Sequence, residues 1–109
     1  MTAQFGLSVR FTLREGAAEA FDALVAETIK GIRAAEPGTL VYVSHLVDGE
    51  PRQRVFYELY RDRAAFDEHE RQPHTRRFLA ERAALVDHVE VDWLTALAGT
   101  GYGNGDGNP

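Results

Sequence analysis

Residues 4–13 alternate strictly: Phe5, Leu7, Val9, Phe11 and Leu13 are apolar, while Gln4, Gly6, Ser8, Arg10 and Thr12 are not. A period of two sustained this long predicts a β-strand with one buried face. Arg14-Glu15-Gly16 interrupts it, and the period then changes. Phe21, Leu24, Val25, Thr28, Ile29 and Ile32 recur at helical spacing, which predicts an amphipathic helix from about Ala17 to Ala35. Pro37-Gly38 ends it, because proline cannot extend a helix and glycine accepts the turn. Two more strands are expected, roughly Leu40–Val47 and Arg54–Tyr60, joined through Asp48-Gly49-Glu50-Pro51. An Asp-Gly step between apolar runs is a strong hairpin signal.

Asp62 is placed to cap a short helix from Arg63 to about Arg71. Pro73 suits the first turn of a third helix, with Phe78, Leu79, Leu85 and Val86 as its apolar stripe. A last strand is expected near His88 to Leu97, with Val89, Val91 and Trp93 on one face. From Gly99 glycine occupies every second position through Gly107, which predicts a disordered tail behind one folded domain over residues 1–98.

The order β-α-β-β-α-β is that of an α+β, ferredoxin-like fold with a four-stranded antiparallel sheet and helices on one face. The two hairpin strands, read as central, are nevertheless apolar on both faces. Leu40, Val41, Tyr42 and Val43 run consecutively, as do Val55, Phe56 and Tyr57. A one-sided sheet should be polar on its open face, so the pattern predicts a second copy of the sheet as cover, a homodimer.

Composition narrows the function classes. Twelve Lys plus Arg stand against 17 acids, a net charge of -5, which argues against a nucleic-acid or anionic-membrane surface. The chain of 109 residues has no cysteine, which removes disulfides, thiolate nucleophiles and cysteine-bound metals. The N-terminus does not read as a signal peptide and no apolar run reaches membrane-spanning length, so a soluble, cytoplasmic protein is expected.

The residues with chemistry lie between Glu36 and Phe78. His69-Glu70 opens like the zinc motif H-E-x-x-H, but His74 is five residues on and Pro73 breaks the helix that would align the rings. No metal site is therefore expected, although His45, His69, His74 and Glu58 are donors within the segment. Histidine is the natural acid–base residue, with an ordinary pKa of about 6.5. Phe66 and His69 are three apart, and His74 and Phe78 four apart, so each histidine shares a helix face with an aromatic residue. Either is a candidate catalytic base; the alternative is a histidine that satisfies a buried hydrogen bond or caps a helix.

Glu58, in mid-strand, is costly to bury unless paired. Two roles are open to it: orienting a histidine or ligand hydroxyl, or an ion pair with Arg10 or Arg54. Tyr42, Tyr60 and Trp93 offer an apolar body with a polar tip, suited to a phenolic ligand. With Phe56, Phe66, Phe78 and His45 they form the expected substrate-binding set. The acids of the first helix, Glu19, Asp22 and Glu27, read as a solvated face.

From Phe5 to Leu97 the chain resembles the antibiotic biosynthesis monooxygenase family, small dimeric α+β-barrel proteins. The matching elements are Glu36-Pro37-Gly38 followed by Tyr42, then Phe56-Tyr57-Glu58-Leu59-Tyr60, Asp62, Ala65-Phe66, His69, His74 and Phe78. Tyr60 stands where many relatives carry tryptophan. The first strand lacks the asparagine, and the second helix the tryptophan, of the haem-degrading branch. What the resemblance implies is a cofactor-independent monooxygenase acting with O2 on a quinol, anthrone or polyketide-type aromatic. An isomerase or tautomerase using the same histidine, and a non-catalytic module that shelters a hydrophobic metabolite, are the competing expectations.

Overall fold

The computed structural model describes residues 3–101. Strand β1 (Phe5–Leu13) leads to helix α1 (Ala18–Ala35), then the hairpin β2 (Thr39–Val47) and β3 (Glu50–Tyr60), helices α2 (Arg63–Arg71) and α3 (Pro73–Arg82), and strand β4 (Val86–Thr95). The four strands form one sheet in the order β2-β3-β1-β4, with every neighbouring pair antiparallel. The expected ferredoxin-like architecture is what forms. The expected disorder of the tail falls, from residue 102 on, outside the described residues.

The period-two face of β1 is the core. Leu7, Val9, Phe11 and Leu13 are buried and meet Phe21 of α1, Phe56 of β3 and Phe78 of α3. Phe11 lies at the centre, its ring 5.2 Å from Phe21, 4.8 Å from Phe56 and 6.2 Å from Phe78. Aromatic pairs at such tilted and edge-on geometries add about 0.5–1.5 kcal/mol each beyond their area. Phe21, Leu24, Val25, Thr28 and Ile32 are the buried stripe of α1, as its spacing predicts.

Three expectations need correction. β3 starts at Glu50, not Arg54, and so includes Pro51. Proline is tolerated there because β1 pairing begins only at Gln53, so that end of β3 is flanked on one side alone. α3 stops at Arg82, so Leu85 and Val86 leave its stripe; Leu85 sits in the turn that accepts from Arg14 N–H, and Val86 opens β4, which ends at Thr95. Finally, β2 is an edge strand and the central pair is β3 and β1. On the sheet face away from the helices, Val41, Val43, Val55, Tyr57 and Leu59 are paired across β2 and β3, whereas β1 and β4 place Ser8, Arg10, Glu90 and Asp92 there. The open face is apolar over one half and polar over the other. Among the described residues no helix is long and apolar enough to cross a membrane.

Candidate acid–base site

Glu36 is the residue that organises the site. It follows the last turn of α1, where a carboxylate opposes the helix dipole, yet its side chain is only 2% exposed. A buried carboxylate needs donors, and three side chains supply them. The Thr39 hydroxyl donates to Glu36 Oε1 at 2.6 Å, His69 Nδ1 donates to the same oxygen at 2.7 Å, and His74 Nε2 bonds Oε2. Burial alone would raise this carboxyl group, but the hydrogen bonds from His69, Thr39 and His74 outweigh it and hold Glu36 below the ordinary carboxylate range.

Local sequence explains the convergence. The Asp62 side chain accepts from Ala65 N–H and fixes the start of α2, placing His69 in its last turn. Gln72 both ends α2 and precedes α3, and Pro73 takes the first helical position, so the chain turns sharply and returns His74 to Glu36. α3 then packs on α1 at Gly31, where an added Cβ would overlap the His74 ring. Glycine inside a helix costs about 1 kcal/mol relative to alanine, so this position trades helix propensity for the imidazole. Gly31→Ala is expected to lower stability by about 1–2 kcal/mol in chemical denaturation, the overpacking penalty exceeding the propensity gain.

The Nδ1 bond to a carboxylate sets the tautomer of His69: Nδ1 carries the proton and Nε2 holds the lone pair. The Thr75 hydroxyl, 3.3 Å away, also approaches Nδ1, while among the described residues Nε2 has no hydrogen-bond partner. His69 is 3% exposed and lines a cavity of about 150 Å³ between the sheet and α2–α3. Leu7, Val9, Phe11, Phe66, Phe78 and Trp93 give that cavity its apolar wall; Tyr42, Glu58, Thr75 and Arg82 bring polar groups to it. The rings of Tyr60 and Tyr42 lie 5.3 and 5.6 Å from the imidazole.

The two tyrosines differ in what their hydroxyls do. Tyr60 O–H donates to Glu58 Oε1 at 2.6 Å. Tyr42 O–H has no partner among the described residues and lines the cavity. Burial, reinforced by Glu58 and Glu36, pushes the Tyr42 hydroxyl well above its ordinary value, so it remains a neutral donor. Burial likewise raises Glu58, against the lowering effect of the Tyr60 bond.

The structure brings together His69, Tyr42, Glu58, Phe66, Phe78 and Trp93 from the expected set around this cavity, and places the others elsewhere. His74 does not line the cavity; it lies behind Glu36 as a second donor. His45 is on the opposite sheet face, exposed, with Nδ1 2.8 Å from the Val55 carbonyl oxygen, because strand alternation sends it away from Tyr42. Phe56 is fully buried beneath the cavity, and the Tyr60 hydroxyl is committed to Glu58. Glu58 neither orients a histidine nor pairs with Arg10 or Arg54. Arg10 bonds Gln53, and Arg54 forms a two-pronged pair at 2.9 Å with Asp22, which is therefore a tie between α1 and β3 and not simply a solvated acid. The carboxylate that orients the histidine is Glu36, which sequence reasoning treated only as part of a turn. The signal was available: an acid at a helix C-terminus, where the dipole disfavours it, immediately before Pro-Gly.

Glu36, His69 and His74 also offer three donor atoms within 4.8 Å of one another, the one cluster of metal-ligating type found among the described residues. Its nitrogens sit at hydrogen-bonding distance from the carboxylate oxygens, and Thr39 occupies a further position on Oε1. A metal ion would have to displace the imidazole protons and spread the group.

The fold and site define a small ferredoxin-like α+β protein with a buried carboxylate–histidine pair whose imidazole lines a largely apolar cavity. The model of the antibiotic biosynthesis monooxygenase family matches residues 5–81, and the chain belongs to that family, whose general function is of the monooxygenase type. Among solved structures, PA3566 from Pseudomonas aeruginosa is 31% identical with a TM-score of 0.81, over 90% of this chain and 98% of that one. Rv0793 from Mycobacterium tuberculosis is 30% identical, also with a TM-score of 0.81, over 90% and 99% of the two chains. SO0527 from Shewanella oneidensis is 29% identical with a TM-score of 0.80, over 88% and 93%. Comparison with functionally curated proteins returns no match.

Proposed function

We propose that the protein is a cofactor-independent monooxygenase acting on an electron-rich aromatic of the quinol, anthrone or polyketide-phenol type, and that it works as a homodimer joined through the open sheet faces. The observation that carries the catalytic reading is the Glu36–His69 pair, with Nδ1 held by a buried carboxylate and the ring lining the apolar cavity.

His69 Nε2 takes a phenolic or benzylic proton from the bound substrate. Glu36 stabilises the imidazolium that results, since it already accepts from Nδ1. The substrate anion gives electrons to O2 and a C–O bond forms, leaving a peroxide. For a benzylic CH2, the hydroperoxide then loses water: one oxygen atom remains as the carbonyl, the other leaves in H2O, and the carbon has been oxidised. Tyr42 donates to the developing oxyanion beside the largely apolar wall of the cavity.

The test is oxygen uptake by metal-stripped, flavin-free protein offered a panel of quinols and anthrones, with auto-oxidation blanks and product masses measured under 18O2. Uptake above blank with one labelled oxygen in the product is the expected result. Turnover with unchanged product mass would replace this reading by an isomerase using the same base. Saturable binding without turnover would replace it by a binding module.

A further inference from the structure

Arg82 is the one basic side chain besides His69 that lines the cavity, and the proton-transfer reading does not use it. It is the last residue of α3, half-buried, and its guanidinium lies 5.4 Å from the Phe11 ring centroid and 5.9 Å from that of Phe78, on the cavity wall. Arg14, Arg52, Arg54, Arg61, Arg63, Arg71 and Arg77 each pair with an acid; Arg33, Arg76 and Arg82 have no ion-pair partner among the described residues, and of these three Arg82 alone lines the cavity. Both rings lie within cation–π range of the guanidinium, and neither offers its N–H donors an acceptor.

An apolar cavity with an unpaired guanidinium at its wall selects an apolar body with an anionic group. We infer that Arg82 is a specificity-determining residue and that the substrate carries a carboxylate, separate from the group that gives its proton to His69, held to Arg82 while the aromatic ring fills the cavity. The assignment rests on the oxygenase reading of the same cavity and narrows its substrate class. Size agrees, since a cavity of about 150 Å³ accepts one aromatic ring, with further rings extending past Trp93 toward solvent.

Two carboxylates also line the cavity. Glu70 is exposed to water, and Glu58 accepts the Tyr60 hydroxyl with burial biasing it toward its neutral form, so neither cancels the guanidinium in place. Burial also makes the charge of Arg82 less comfortable as it stands, and an anionic ligand relieves that.

The experiment is calorimetric titration of the full chain with 2-naphthoate and with its neutral analogue 2-naphthamide, for the wild type, Arg82→Gln and Arg82→Lys. Quenching of Trp93, the chain's single tryptophan and a cavity residue, reports whether binding occurs at this site. A charge-assisted contact of this type is expected to favour the acid by about 10–100-fold in the wild type. Arg82→Gln should abolish the preference by lowering naphthoate affinity far more than naphthamide affinity, and Arg82→Lys should restore part of it. Equal wild-type affinities for acid and amide, or a preference that survives in Arg82→Gln, overturns the assignment and leaves the oxygenase reading intact. Failure of both ligands to bind or to quench Trp93 also overturns the assignment, while the oxygenase reading is decided separately by oxygen uptake.

Discussion

Replacing His69 by alanine lowers kcat for oxygen consumption by about 10²–10⁴-fold, the usual contribution of a positioned general base, while His74→Ala costs less than about tenfold. The asymmetry follows from position. His69 lines the cavity with Nε2 unpartnered, whereas His74 spends Nε2 on Glu36 and does not reach the cavity. Both residues donate to the same carboxylate, so a purely structural role would make the two variants similar. Steady-state kinetics with a substrate identified in the uptake assay decides it. A His69→Ala enzyme with wild-type kcat removes His69 as the base, and equal losses in the two variants would mean that the network acts only by holding the fold.

Glu36→Ala is expected to destabilise the protein by about 3–5 kcal/mol, the cost of removing one partner from a buried, hydrogen-bonded charge network. His69 Nδ1, His74 Nε2 and the Thr39 hydroxyl would all lose the group that accepts from them. Glu36→Gln keeps the shape and one acceptor and should cost less. The two variants also separate the pH dependence. Because hydrogen bonds hold the folded Glu36 below its ordinary value of 4.5, its contribution to stability is complete above that pH and is lost as the pH falls through the lower folded value. The wild type should therefore lose stability relative to Glu36→Gln on acidification below about pH 4.5. Glu58 has the opposite sign: burial raises it, so its effect is a loss of stability as pH rises above the ordinary carboxylate range. Urea denaturation of the wild type and Glu36→Gln across pH 3–6 reads this difference directly, and parallel curves would show that Glu36 carries no linked proton.

The contrast between Glu36 and Glu58 shows how far one-dimensional reasoning reaches. Glu58 stood out because it interrupts an apolar strand, and it is indeed buried. Its partner was not legible, because the choice among Arg10, Arg54 and Tyr60 depends on which sheet face each occupies and on what competes for it. Asp22 claims Arg54 from across the α1–β3 interface, 32 residues away in sequence. Glu36 drew attention only as the lead of Pro37-Gly38, since nothing local shows that residues 33 and 38 positions later return to it. His45 was misplaced for a simpler reason. In a strand, membership of the site is decided by parity, and His45 has the parity of Val41 and Val43 rather than of Tyr42.

Hydrophobic periodicity determined the strand Phe5–Leu13 and the buried stripe of α1, and local turn and cap chemistry determined the Asp-Gly hairpin, the Asp62 cap and the break at Pro73. These depend on interactions within a few residues, on backbone stereochemistry and on which side chains avoid water, so they are written locally. Sheet order and the closure of three helix ends on one carboxylate required the tertiary structure, because each is a contact between groups distant along the chain. The sequence therefore supplied the histidines, tyrosines and acids. Only packing decided that His69 would face the cavity, that Glu36 would hold it, and that Arg82 would stand beside it without a partner.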